Sequence, residues 1–189
     1  PPDRRSGVEW RSRLSNPKAR ADTMRIPHQF TSIDPAVHRA IVEHGVSGCL
    51  PFSGLLYLPP GREPDTVVLA MHPRGDFTRH YLAPQLTAAG YAFMGAVTRH
   101  LNHDADALHE RLLLDVAGTI AWLRKRFVKI VLLGNSGGGS LFAFYLAQAG
   151  TAPEARLDRA PSGDRVPLRT TALPMADGLI LLAAHLGEG

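Results

Sequence analysis

Short continuous apolar runs alternate along the chain with longer stretches in which apolar residues recur every three or four positions. That alternation predicts strands and helices in turn. Thr66–Met71 (TVVLAM) is a β-branched and aliphatic run, the signature of a strand buried on both faces. Tyr91–Val97, Lys129–Leu133 and Leu179–Ala184 carry the same signature. Between the second and third of these runs, Leu108, Leu112, Val116, Ile120 and Leu123 share one helical face, with Arg111, Asp115 and Arg124 off it. Tyr81–Ala89 reads as a helix stopped by Gly90, and Leu141–Ala149 as an apolar helix following the glycine-rich turn Gly134–Gly139. Gly54–Leu58 predicts a short strand ending at the turn Pro59-Pro60-Gly61. Upstream, Ile33, Val37, Ala40 and Ile41 give one apolar helical face, with Asp34-Pro35 as cap and first-turn proline and Gly45 as its stop. Residues 150–177 are rich in Pro, Arg, Asp and Ala and predict an irregular excursion or the start of a lid.

Strand, helix, strand, helix, strand, helix, strand is the order of an α/β fold: a mostly parallel sheet with helices on both faces. Right-handed crossovers then bring the loops that follow the strands to one sheet edge. No internal repeat interrupts this order.

Composition changes the picture little. The chain has 189 residues, 44% apolar and 20% charged, which suits one domain with a sizeable core. No apolar run approaches the roughly 20 residues of a membrane span. The arginine-rich start lacks the apolar segment of a cleavable signal. Cys49 stands alone, so no intrachain disulfide is expected, and a cytoplasmic location is the default. Residues 1–25 hold seven basic side chains (Arg4, Arg5, Arg11, Arg13, Lys18, Arg20, Arg25) against three acidic ones (Asp3, Glu9, Asp22), a surplus that equals the whole net charge of +4. With no apolar periodicity, this segment reads as a disordered extension rather than a nucleic-acid-binding arm. The folded domain is expected over residues 26–189.

Candidate chemistry lies in Gly134-Asn135-Ser136-Gly137-Gly138, a Gly-x-Ser-x-Gly pattern between a buried strand and an apolar helix. A serine lifted above the sheet edge sits on a strained turn whose neighbours must be small, and the helix that follows directs its free N–H groups and positive dipole end toward it. A phosphate loop is excluded, because no lysine lies between Lys129 and the end of the chain. A dinucleotide fingerprint is excluded too: after Gly137 and Gly139 its third glycine would stand where this chain has Phe142. A tight turn with an inert serine is the competing reading.

From roughly Gly54 to Ala184 the sequence resembles the α/β-hydrolase superfamily, and specifically its esterase- and lipase-like serine hydrolases. The resemblance is carried by Gly134-Asn135-Ser136-Gly137-Gly138 together with His72-Pro73-Arg74-Gly75 after the earlier strand. It implies Ser136 as nucleophile and Gly137 as one backbone donor of the oxyanion hole. The second donor would come from the main chain near Arg74 or Gly75, since Pro73, where many members have glycine, has no N–H to give. His72 is read as bracing this loop, with a pocket residue or base as the alternative.

A serine nucleophile needs a base, and in this superfamily the chain order is Ser, then acid, then His. Only 53 residues follow Ser136, and the one histidine among them is His185, just past the last predicted strand. It lies at the correct sheet edge but not at the family's usual position, so it is either the base or a residue lining the pocket. The simplest expectation is that the sheet's closing strands, the acid and the histidine lie beyond Gly189. The 189 residues would then end on an unpaired apolar strand and be poorly soluble or inactive alone.

His100, His103, Asp104, Asp106 and His109 invite a metal reading, but no His-Glu-x-x-His accompanies them, and caps and loop histidines are the expectation. Asp104 would cap the helix carrying Leu108. Asp115, on a helix flank, and Asp177, before its strand, are excluded as triad acids by position. The function expected is hydrolysis of a carboxylic ester or related acyl bond of a small molecule through a Ser136 acyl-enzyme, with no cofactor and no metal. The alternatives are a non-catalytic ligand-binding protein on the same fold, or acyl transfer, lactone or thioester cleavage by it.

Overall fold

The run Thr66–Ala70 forms strand β4 at the heart of a seven-stranded sheet, where Val67, Leu69 and Ala70 are wholly buried. The computed structural model describes residues 28–30, 39–47, 50–61, 63–103, 105 and 107–185. The strands are β1 (His28–Phe30), β2 (Arg39–Ser47), β3 (Leu50–Leu58), β4, β5 (Ala92–Val97), β6 (Lys129–Asn135) and β7 (Gly178–Leu182), and the helices α1 (Ala83–Ala88), α2 (His109–Leu123) and α3 (Gly137–Ala149). Their order across the sheet is β1-β2-β3-β5-β4-β6-β7. β4 pairs in parallel with β5 and β6, and β6 with β7, whereas β1, β2 and β3 form an antiparallel ladder that joins β5.

Alternate residues of these strands feed two cores. Leu56, Val67, Leu69, Met94 and Leu132 meet α2 and α3 on one face. Leu55, Tyr57, Val68, Ala70, Phe93 and Leu133 meet α1 on the other. Residues 150–177, irregular apart from short 3-10 turns at Pro153–Ala155 and Pro167–Arg169, pack Ala160, Val166, Leu168 and Leu173 into the first core. The buried Arg156 guanidinium organises this segment, donating to the carbonyls of Thr151, Leu168 and Thr171 at 3.0, 3.2 and 2.9 Å.

Four expectations change. The helix anticipated over residues 33–44 is not formed at its C-terminal half: Arg39–Ser47 is strand β2, and Gly45 lies inside it opposite Phe52. Nine consecutive pairs with β3 outweigh a helical spacing that rests on four residues. Helix α2 starts at His109 with Leu108 at its N-cap, packed against the core rather than inside the helix. Asp104 and Asp106 lie outside the described residues, as do residues 1–27. Asp115 is buried, not on a flank, and its carboxylate takes the Arg99 guanidinium at 2.7 and 2.9 Å together with the Arg99 N–H at 2.9 Å. Finally, β7 is apolar but not buried: Leu179, Ile180 and Leu181 are 36%, 47% and 58% exposed, because β7 is an outer strand of the sheet and, among the described residues, pairs with β6 alone. Asp177, just before β7, accepts from the Ile130 N–H and from Arg124, each at 2.7 Å, at the edge opposite the serine turn.

Candidate active site

Strand β6 ends at Asn135 and α3 begins at Gly137, so the whole change of direction falls on Ser136. Its φ of 55° and ψ of −129° lie where a residue with a Cβ is strained, at a cost of order 1–3 kcal/mol. Such a turn persists only because its surroundings hold it. The Ser136 N–H donates to the Leu182 carbonyl at 3.3 Å, while the Ser136 carbonyl accepts the N–H groups of Gly139 and His185 at 3.1 and 3.0 Å. The Asn135 side chain adds a bond from Nδ2 to the same Leu182 carbonyl at 2.9 Å. The end of β7 is thereby fastened to the serine turn.

The glycines are needed for close approach. A Cβ on Gly138 would sit 2.3 Å from the Met71 carbonyl, and one on Gly139 2.4 Å from the Ala184 Cβ. A Cβ on Gly137 would reach His72 Nε2 at 2.9 Å. The first turn of α3 therefore rests directly on the ends of β4 and β7. The positive end of the α3 dipole favours negative charge beside Ser136.

Of the residues singled out from the sequence, His185 comes nearest the serine hydroxyl: Nε2 lies 3.4 Å from Ser136 Oγ. Among the described residues no carboxylate hydrogen-bonds the His185 ring. His72 faces Gly137, and its Nδ1 accepts the N–H groups of Gly75 at 2.8 Å and Arg74 at 3.2 Å. Those two N–H groups, expected to face an oxyanion, are thus engaged by the imidazole. Thr98 secures the loop from below, donating through Oγ1 to the Pro73 carbonyl at 2.8 Å. His100 and His103 lie with ring centroids 6.3 Å apart, and no group of three metal-ligating side chains forms among the described residues.

Sequence reasoning missed His80. It is buried, its Nδ1 accepts the Leu82 N–H at 3.2 Å, and its Nε2, which must then carry the proton, donates to Asn135 Oδ1 at 3.2 Å. His80 therefore orients the amide that ties the serine turn to β7. Fifty-five residues separate the partners, and no local pattern announces the link.

Burial holds both His72 and His80 below the ordinary imidazole pKa of 6.5, reinforced for His72 by Arg74 and His185 and opposed for His80 by its bond to Asn135. A histidine whose folded pKa is depressed binds fewer protons when folded. Its contribution is complete above about 6.5 and is lost as pH falls from there through the lower folded values. The urea midpoint is accordingly expected to hold steady from about pH 8 to 7 and to drop as pH falls below about 6.5. His80→Gln should flatten part of that drop. A midpoint indifferent to pH across this window would show that neither ring is held neutral.

No family model matches the sequence, and no curated protein aligns with it. Its fold does match solved structures. An acetyl xylan esterase from Paenibacillus sp. R4 superposes with a TM-score of 0.52 at 14% identity over 78% of this chain and 57% of that one. A cold-adapted esterase from an Arctic intertidal metagenomic library superposes with a TM-score of 0.50 at 13% identity over 66% of this chain and 60% of that one. The chain thus spans less than two thirds of the length of either, and what it shares with them is an α/β-hydrolase-like fold.

Proposed function

We propose that, on this α/β-hydrolase-like fold, Ser136 is the nucleophile of a serine hydrolase that cleaves a carboxylic ester or related acyl bond of a small molecule. The observation that carries the reading is the strained Ser136 turn, with its hydroxyl 3.4 Å from His185 Nε2. Strain of this kind concentrates at functional sites, whereas an inert turn gains nothing from it.

In the proposed reaction Ser136 Oγ attacks the acyl carbon while its proton passes to His185 Nε2. The carbonyl electron pair moves onto oxygen, beside the Gly137 N–H and the α3 N-terminus. Collapse breaks the bond to the leaving alcohol, which takes the proton from His185. Water then repeats the sequence and releases the acid, restoring Ser136.

Exposing the folded protein to a fluorophosphonate tests this. Labelling is expected at Ser136, located by peptide mass spectrometry, and should slow by about two orders of magnitude or more in His185→Ala. A folded protein that resists the probe would instead support the binding-protein reading. Rapid labelling unaffected by His185→Ala would keep the serine and remove the histidine from its role.

A further inference from the structure

We infer that His72 contributes its Nε2–H to the oxyanion hole, standing beside the backbone N–H of Gly137 as a side-chain donor. The inference rests on the acyl-enzyme reading of Ser136. Three observations lead to it.

The first is the tautomer. His72 Nδ1 receives two backbone N–H groups, from Gly75 at 2.8 Å and Arg74 at 3.2 Å, so that nitrogen is the acceptor and carries no proton. A neutral imidazole then holds its proton on Nε2, which makes that atom a donor. The same bonds that engage the loop's main chain therefore prepare the ring to stand in for it.

The second is position. Of the His72 atoms, Nε2 lies nearest the point to which a Gly137 Cβ would project, at 2.9 Å, with Cδ2 next at 3.4 Å. Gly137 follows the nucleophile directly, and its N–H is the backbone donor implied for the oxyanion. The absence of a side chain at Gly137 leaves the space in which Nε2 lies. Phe77 packs on the ring at 5.0 Å between centroids and limits its rotation.

The third is charge state. Burial, Arg74 and His185 all disfavour the imidazolium, so the ring is a neutral donor at neutral pH. A fixed neutral donor needs no reorganisation when charge develops on the acyl oxygen. The two histidines then divide the work. His185 Nε2 faces the hydroxyl and takes its proton. His72 cannot take it, since its Nε2 is already protonated; it bonds the oxyanion and transfers nothing.

Histidine-selective 15N labelling of the full chain provides the test. At about pH 7.5 long-range 1H–15N spectra should report His72 as the Nε2–H tautomer, and phosphonylation of Ser136 should move its Hε2 resonance downfield as the phosphonyl oxygen accepts the bond. An Nδ1–H tautomer, an imidazolium, or an Hε2 that ignores the adduct would overturn the inference while leaving Ser136 as nucleophile. Failure of Ser136 to react at all would sink the acyl-enzyme reading first, and this inference with it. In kinetics with p-nitrophenyl acetate, His72→Leu is expected to lower kcat by about 100-fold with little change in KM. His72→Gln, which keeps an N–H at similar reach, should recover roughly a tenth or more of the activity. Equal losses in the two variants would leave His72 a brace and nothing more.

Discussion

Ser136→Ala should lower hydrolysis of p-nitrophenyl acetate by at least about three orders of magnitude and abolish fluorophosphonate labelling, with no loss of stability. Alanine at this position meets the same strain as serine, since each has a Cβ at φ 55°. The hydroxyl's hydrogen-bond contact is the long one to His185, so its removal strands no buried donor. Ser136→Gly carries the argument further. It deletes the proposed nucleophile and relieves the strain together, so it should be as inactive as the alanine variant yet more stable than the parent by about 1 kcal/mol. Urea denaturation of the three proteins beside their turnover decides the matter. Residual turnover in Ser136→Ala near the parent level would show that the reaction passes through another group.

A large loss of stability is expected from Gly138→Ala, at about 2–3 kcal/mol. Its Cβ would stand 2.3 Å from the Met71 carbonyl oxygen, which is backbone at the end of β4 and cannot swing aside as a flexible side chain can. Relief requires α3 to slide along the sheet, and that movement also carries Ser136 away from His185. The variant should therefore unfold at lower urea and react more slowly with the probe even where it is fully folded. Gly150→Ala is the control. At the other end of α3 an added Cβ meets the Leu146 carbonyl at 3.3 Å, and its effect should stay within about 0.5 kcal/mol. If the two substitutions cost the same, close approach is not what the serine turn requires of Gly138.

How much of this was legible depends on where the deciding contacts lie. Strands β4 and β6, helix α2 and the serine turn are specified by residues within a few positions of one another: a β-branched run, a helical stripe, a glycine-serine pattern. Strand β2 is not. Ile33, Val37, Ala40 and Ile41 fit a helical spacing, and only the nine-residue ladder with β3 tips Arg39–Ser47 into extended form. The exposure of β7 was hidden for a related reason. An apolar pentapeptide in the outermost place of a sheet reads the same as one in the middle, and topology alone separates them. At the site, the motif located Ser136 and Gly137. It could not show that Arg74 and Gly75 turn their N–H groups onto His72, nor that His80 reaches Asn135. Those bonds depend on two loops meeting at one sheet edge.

The fastening of β7 to the serine turn has a further consequence. An outer strand with exposed leucines and a single neighbour opens at lower free energy than the strands inside the sheet. Each opening of β7 would release the Leu182 carbonyl from the Ser136 and Asn135 N–H groups and pull the His185 N–H off the Ser136 carbonyl. The geometry around the Ser136 hydroxyl is thus tied to the docking of an outer strand. Amide exchange at Ser136 and His185 should follow the exchange of β7 rather than that of β6, so that the working lifetime of the proposed nucleophile is set by how long the edge of the sheet stays closed.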